Sequence, residues 1–202
     1  MILHGGRVSP FVRRVELWLA AQQRPVERRY VSVFDPDFGG MLDKNPLGRV
    51  PVLELADGTC LFETSAIIDY LEDTAAPERR LIPASGPARR QVLQSLSLAH
   101  GVAEKTVALV YERYQRPLDK QWPEWRNRIK TQISNGLAAL DSVVGVDTAP
   151  LDGLGIAAVC AHDLVASRFP ALADPALIHL RRLSDAANAQ PVFAATYPPD
   201  PA

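Results

Sequence analysis

Apolar positions change their period along this chain. In residues 1–75 short apolar runs alternate with stretches of helical spacing; after residue 87 the helical spacing is continuous. Ile2-Leu3-His4 is a short apolar start. Ser9-Pro10 then opens a helix in which Phe11, Val15, Trp18 and Leu19 share one face. Glu27–Val33 reads as a strand. Val52–Leu55 and Thr59–Phe62 flank Asp57-Gly58, a two-residue hairpin signal. Glu63–Glu72 reads as a helix facing inward with Ile67, Ile68 and Leu71. The order β-α-β-(α)-β-β-α predicts a mixed sheet, with a parallel crossover followed by an antiparallel hairpin.

Three prolines and a glycine in Ala75–Pro87 mark a boundary. Beyond it, Arg89–Arg116 carries Val92, Leu96, Ala99, Ala103, Val107, Val110, Tyr111 and Tyr114 at helical spacing, and Pro117 ends the run. Pro123–Val144 carries Trp125, Ile129, Ile133, Leu137 and Leu140 in register. A helix rich in small residues follows at Gly155–Ser167, and another at about Pro175–Ala189. The proline-rich end Tyr197–Ala202 cannot form regular structure. The expected organisation is an α+β domain at 1–75, a linker at 76–86 and an all-helical domain at 87–202.

Composition narrows the function little. Of the 202 residues, 47% are apolar and 22% charged, and the formal net charge is −1, which suits a globular chain without a polyanion-binding surface. No apolar run approaches the roughly 18 residues of a membrane span, and the start lacks the features of a signal peptide, so the expectation is a cytoplasmic protein. Cys60 and Cys160 form no CxxC motif and read as reduced core residues. His4, His100, His162 and His179 lack metal-ligand spacing, and no metal is expected.

Three segments carry candidate chemistry. In Ser9-Pro-Phe-Val-Arg-Arg-Val15, serine at an N-cap and proline at N1 make a good helix start. The Ser9 hydroxyl either caps its own helix or points into a cleft at the positive end of the helix dipole, where an anion is favoured. In Asn45-Pro-Leu-Gly-Arg-Val-Pro-Val-Leu53, a proline at a strand threshold fits a cis bond at Val50-Pro51, with backbone groups able to pair with an extended peptide. A trans proline on an edge strand is the other reading. In Leu61–Leu71, Glu63-Thr64 stands where a strand gives way to a helix, so that a carboxylate, a hydroxyl and free helix amides can hold an amino-acid head. Alternatively Thr64 is the N-cap and Glu63 a solvated neighbour.

Together, in this order and spacing, the three segments resemble the cytosolic glutathione transferases, and most of all bacterial and serine-type members. The resemblance extends over the whole chain, including the closing Pro191–Pro199. It implies a thioredoxin-like βαβ-ββα domain followed by an all-α bundle, glutathione as co-substrate, a small electrophile as partner, and a homodimer. It gives Ser9 the role of stabilising the glutathione thiolate. Val50 would pair with the cysteinyl part, Pro51 is the cis-proline, and Glu63 and Thr64 hold the γ-glutamyl head. Phe11 and Arg49 join the same binding set. Arg49 is a candidate for the glycine carboxylate beside a reading as a solvated surface arginine.

Serine rather than cysteine at the first helix disfavours thiol–disulfide exchange, which needs a sulfur nucleophile. A maleylacetoacetate-isomerase role is disfavoured by the absence of a Ser-Ser-Cys run. Two departures stand out. Thr64 replaces the commoner serine, and a buried capping box expected at Gly155 and Ala158 is missing, which would cost about 0.5–2 kcal/mol. Asp152 could cap one turn earlier. The missing box lends some weight to an alternative, a non-catalytic scaffold of the stringent-starvation type. Tyr111, Tyr114 and Trp122 read as core or interface residues, and the electrophile pocket is not legible.

Overall fold

The computed structural model describes residues 1–32 and 40–199, which form two compact units, Met1–Ala84 and Ser85–Ala202. The last residue of the expected strand Glu27–Val33 and the end of the proline-rich tail lie outside the described residues.

The first unit runs β1 (Ile2–His4), α1 (Pro10–Ala21), β2 (Glu27–Arg29), α2 (Met41–Lys44), β3 (Val52–Glu54), β4 (Cys60–Phe62) and α3 (Thr64–Asp73). The sheet order is β2-β1-β3-β4, with β1 and β2 parallel and the other pairs antiparallel. This is the mixed sheet that the element order predicts. Leu3, Trp18, Leu53, Ile67 and Leu71 are fully buried. α1 packs on α3 and β1, and α3 on β4.

Several local expectations shift. Phe11 is only half-buried; Val12 takes its place beside Val15, Trp18 and Leu19 in the core. The hairpin loop has three residues rather than two. Gly58 N donates to Leu55 O and Leu55 N to Thr59 O, and Gly58 has φ +86°. Ala56-Asp57-Gly58 is therefore a turn closed by a left-handed glycine. The expected linker 76–86 is largely folded into the first unit. Pro77–Arg79 forms a helical turn, and the Leu81 and Ile82 amides donate to the carboxylate of buried Glu72.

Glu72 is the polar centre of this unit. At 4% exposure it also accepts from Trp18 Nε1 at 2.9 Å and Gln22 Nε2 at 2.8 Å. One side chain thus ties α1, α3 and the segment after α3 together, its carboxylate accepting from four buried or half-buried donors.

The second unit contains α4 (Gly86–Tyr114), α5 (Pro123–Val143), α6 (Gly153–Arg168), α7 (Ile178–Asn188) and α8 (Pro191–Ala194). The core face of α4 is Ser95, Leu96, Ala99, Val102, Ala103, Thr106, Leu109 and Glu112. The predicted face drifts off this stripe after Ala103. Tyr111, Tyr114 and Trp122 are exposed, so of the core and interface readings the core one does not hold; Trp125 is exposed as well. On α5, Ile129, Ile133, Leu137 and Leu140 are buried as their spacing predicts.

α6 is apolar around its circumference and is the buried central helix, packed on α4 and α7. It begins two residues earlier than its pattern suggests, because Asp152 is its N-cap and accepts from the Gly155 amide. Gly155 and Ala158 supply no capping box, and Asp152 caps the helix earlier, as its position in the sequence suggested, with Gly155 as the third helical residue. Buried Asp163 on α6 accepts from Ser184 Oγ at 2.6 Å and Asn188 Nδ2 at 3.1 Å on α7.

Candidate functional site

The sheet registers bring the three candidate segments to one end of the first unit. His4 pairs with Arg29 on one side and Val52 on the other, and Val52 pairs with Phe62. The residues continuing past that row are Gly5, Tyr30, Pro51 and Glu63. Residues separated by tens of positions in sequence therefore share one rim, in the order Tyr30, Gly5, Pro51, Glu63.

Ser9 is half-buried at the start of α1. Its backbone is extended (φ −83°, ψ 118°), and its hydroxyl accepts from the Val12 amide at 3.3 Å. The capping reading thus holds. The bond is long, and a hydroxyl that accepts it still has its own proton to donate. Gly5, just past β1, fits where a side chain would not: a β-carbon there would meet Val12 Cγ2 and stand 3.2 Å from Val50 Cβ. This contact seats the first turn of α1 against the loop before β3.

That loop is built by Asn45, which is fully buried. Its Nδ2 donates to Arg49 O at 2.9 Å, its Oδ1 accepts from Leu47 N at 3.0 Å, and its carbonyl accepts from Gly48 N at 2.9 Å. The Val50-Pro51 bond is cis, and β3 is an internal strand, not an edge. Pro51 is buried, and among the described residues the Val50 amide and carbonyl make no backbone hydrogen bond.

Glu63 is the N-cap residue of α3 at φ 65° and ψ 128°, with no capping bond from its side chain. A non-glycine residue in such a conformation costs on the order of 1–3 kcal/mol. The cost leaves its side chain uncommitted to its own helix. Its carboxylate lies 3.5 Å from Arg49 Nη1 instead. Thr64 follows as the first helical residue, 1% exposed. Arg49 therefore stands at the Glu63 end of the rim, and neither the pair nor the strained Glu63 backbone is legible in the sequence. The Gly5-Gly6 doublet directly after a strand was the available signal for the close approach, and it was not read.

Below the rim, Glu54 accepts from Lys44 Nζ at 2.7 Å and lies 2.8 Å from Nε2 of buried His4. The hydrogen bond from Lys44, and then that with His4, holds the Glu54 carboxyl below its ordinary pKa; the same bond raises Lys44. These contacts tie α2 to the sheet. Among the described residues no cluster of His, Cys, Asp and Glu could hold a metal ion, and no helix is long and apolar enough to cross a membrane.

Comparison with known proteins gives a consistent result. The family model for the glutathione S-transferase N-terminal domain matches residues 3–79. A crystal structure of a glutathione S-transferase from Methylobacterium radiotolerans, in complex with glutathione sulfonate, superposes with a TM-score of 0.88 at 30% identity, covering 100% of this chain and 96% of that one. A glutathione transferase family member from Pseudomonas fluorescens Pf-5, with bound S-(propanoic acid)-glutathione, gives 0.86 at 27% identity, covering 98% and 100%. The maleylacetoacetate isomerase of Pseudomonas aeruginosa is 29% identical over 164 residues, covering 76% of this chain and 73% of its own. With a thioredoxin-like sheet domain, an all-helical second unit and a full-length relative at 30% identity, the chain belongs to the glutathione S-transferase family.

Proposed function

We propose that this protein is a serine-type glutathione transferase that joins the glutathione sulfur to a small electrophile. The observation that carries the reading is the shared rim: the Ser9 hydroxyl, the Val50 backbone, without a backbone partner among the described residues, and the Glu63–Thr64 pair stand at one end of one sheet. An extended peptide laid along that rim finds a carboxylate–hydroxyl pair for its head, a backbone ladder for its middle and a hydroxyl for its sulfur. The neighbours crystallised with glutathione derivatives support the same ligand.

In this reading the γ-glutamyl ammonium meets the Glu63 carboxylate. Its α-carboxylate meets the Thr64 hydroxyl, the free amides of α3 and the Arg49 guanidinium, which stands at that end. The cysteinyl backbone pairs with Val50, and Phe11 borders the sulfur. Ser9 donates to the thiolate. A free thiol has a pKa of about 8.5, and lowering it by about two units takes about 2.7 kcal/mol. A hydrogen bond to a charged group supplies about 1.5–3 kcal/mol. The N-terminus of α1 adds about 0.3–1 kcal/mol. One hydroxyl at this place suffices, without a general base.

The scaffold alternative drew its weight from the missing capping box at Gly155 and Ala158, and an N-cap from Asp152 stands in its stead. The isomerase relative shares the fold, but this chain lacks the Ser-Ser-Cys run at the first helix. A reaction on reduced glutathione suits a cytoplasmic, detoxifying homodimer, and light scattering coupled to size exclusion tests the dimer.

Retention on immobilised glutathione and turnover of 1-chloro-2,4-dinitrobenzene test the activity. Ser9→Ala should remove most conjugation while glutathione affinity stays within a few-fold; full activity would remove Ser9 from the mechanism. Glu63→Ala should weaken glutathione binding itself, and unchanged affinity would refute the head-group assignment.

A further inference from the structure

The rim continues past Ser9, away from Glu63, to a cationic platform that the glutathione reading does not use. Arg7 and Val8 are the corner residues of the turn in which Ser9 N donates to Gly6 O at 3.2 Å. Gly6 lies against the Val31 carbonyl, which holds this turn beside the segment after β2. Arg7 Nε donates to Tyr30 Oη at 3.3 Å, and the guanidinium lies 5.1 Å from the Tyr30 ring centroid. A second guanidinium, Arg28, lies 5.4 Å from the same centroid and pairs with Glu16. Tyr30 is 55% exposed and Arg7 is exposed.

The two arginines differ in what remains to them. Arg28 has its carboxylate partner. Arg7 meets no carboxylate among the described residues, and its Nη fork is unspent after the single bond from Nε. A planar fork with two parallel donors matches a carboxylate. The bond to the hydroxyl and the contact with the ring restrain the guanidinium, which lowers the entropy lost on binding. The bond from Arg7 also lowers the Tyr30 hydroxyl's pKa from its ordinary value, as a cation directed onto that oxygen should.

Strand order gives the direction. Adjacent strands lie about 5 Å apart, so the path from the end of β4 to the end of β1 spans roughly 10 Å, and β2 lies about 5 Å further on. A head group at Glu63 and Thr64 and a sulfur at Ser9 span the first distance. A substituent on that sulfur directed away from the head group would reach toward β2.

Resting on the reading that Ser9 holds the thiolate, we infer that Arg7, braced on Tyr30, selects electrophiles that carry a carboxylate on the far side of the reacting carbon. Ethacrynate, a carboxylate-bearing α,β-unsaturated ketone, and its neutral methyl ester make the test pair. In each, the thiolate adds to the terminal alkene carbon, the C–S bond forms as the C=C π bond opens, and the resulting enolate takes a proton from water. Nothing leaves and no redox partner is needed.

The experiment compares kcat/KM for the two acceptors in the unaltered protein, Arg7→Ala and Arg7→Lys. The ratio of ethacrynate to ester should fall about five- to tenfold in Arg7→Ala, the scale of a half-exposed charge-assisted contact. It should fall less in Arg7→Lys, and the unaltered protein's preference should shrink with added salt. A ratio within twofold of the original in Arg7→Ala overturns the inference. So does a raised KM for glutathione with both acceptors, which would assign Arg7 to the tripeptide. If the unaltered protein turns over neither acceptor, the transferase reading fails, and the inference is read from binding of the two ready-made glutathione conjugates. Equal affinity for the conjugates, unaffected by Arg7→Ala, then overturns it.

Discussion

Replacing Glu72 tests whether one buried carboxylate holds the first unit together. Glu72→Ala leaves four donors without their acceptor: Trp18 Nε1, Gln22 Nε2 and the Leu81 and Ile82 amides. An unsatisfied buried donor costs about 1–3 kcal/mol. Water entering the vacated space recovers part of this, so about 1 kcal/mol per donor, or about 4 kcal/mol in sum, is the expected loss. That is a large share of the roughly 5–15 kcal/mol that stabilises a domain. Urea unfolding followed by tryptophan fluorescence reads it, since Trp18 is fully buried whereas Trp122 and Trp125 are exposed. At an m-value of about 2–3 kcal/mol/M, the transition reporting Trp18 should move about 1.5 M lower. Glu72→Gln keeps one acceptor but turns an amino group toward two amides, and should lose about half as much. Residues 77–84 should become open to protease in Glu72→Ala. A loss below about 1 kcal/mol in that variant would mean that other contacts hold the α1–α3 pair, and the reasoning would fail.

Asp152→Ala should destabilise the second unit by about 0.5–2 kcal/mol, the usual worth of an N-cap, and thermal unfolding checks it. Gly155→Ala should cost at least as much, because its β-carbon would run into the Ala149 carbonyl; an unchanged melting temperature would refute the tight seat of α6. The Glu54 carboxyl is held below its ordinary value by Lys44 and His4, so its contribution is complete above the unfolded pKa of about 4.3 and disappears as pH falls through the lower folded value. The stability gap between the unaltered protein and Glu54→Gln should therefore close between about pH 5 and pH 3, and a gap independent of pH would refute the link.

The periodicities of this chain were sufficient for most of the elements and their order, because a strand or helix must show its apolar face at its own spacing wherever it packs. The Ser9-Pro10 helix start and the threshold proline were legible for the same local reason: capping and proline geometry depend on neighbours in sequence. Local grammar failed where partners come from elsewhere. Only packing against α5 and α6 selected the stripe of α4 that is buried. The left-handed Glu63 backbone, the Arg49–Glu63 pair, the burial of Glu72 beneath the supposed linker and the Arg7–Tyr30 platform are all products of strand order, which brings Tyr30, Gly5, Pro51 and Glu63 onto one rim. Spacing along a chain reports how each segment meets a core. Which segments meet one another is decided by the free energy of the whole packed unit, and that is a property of the tertiary structure alone.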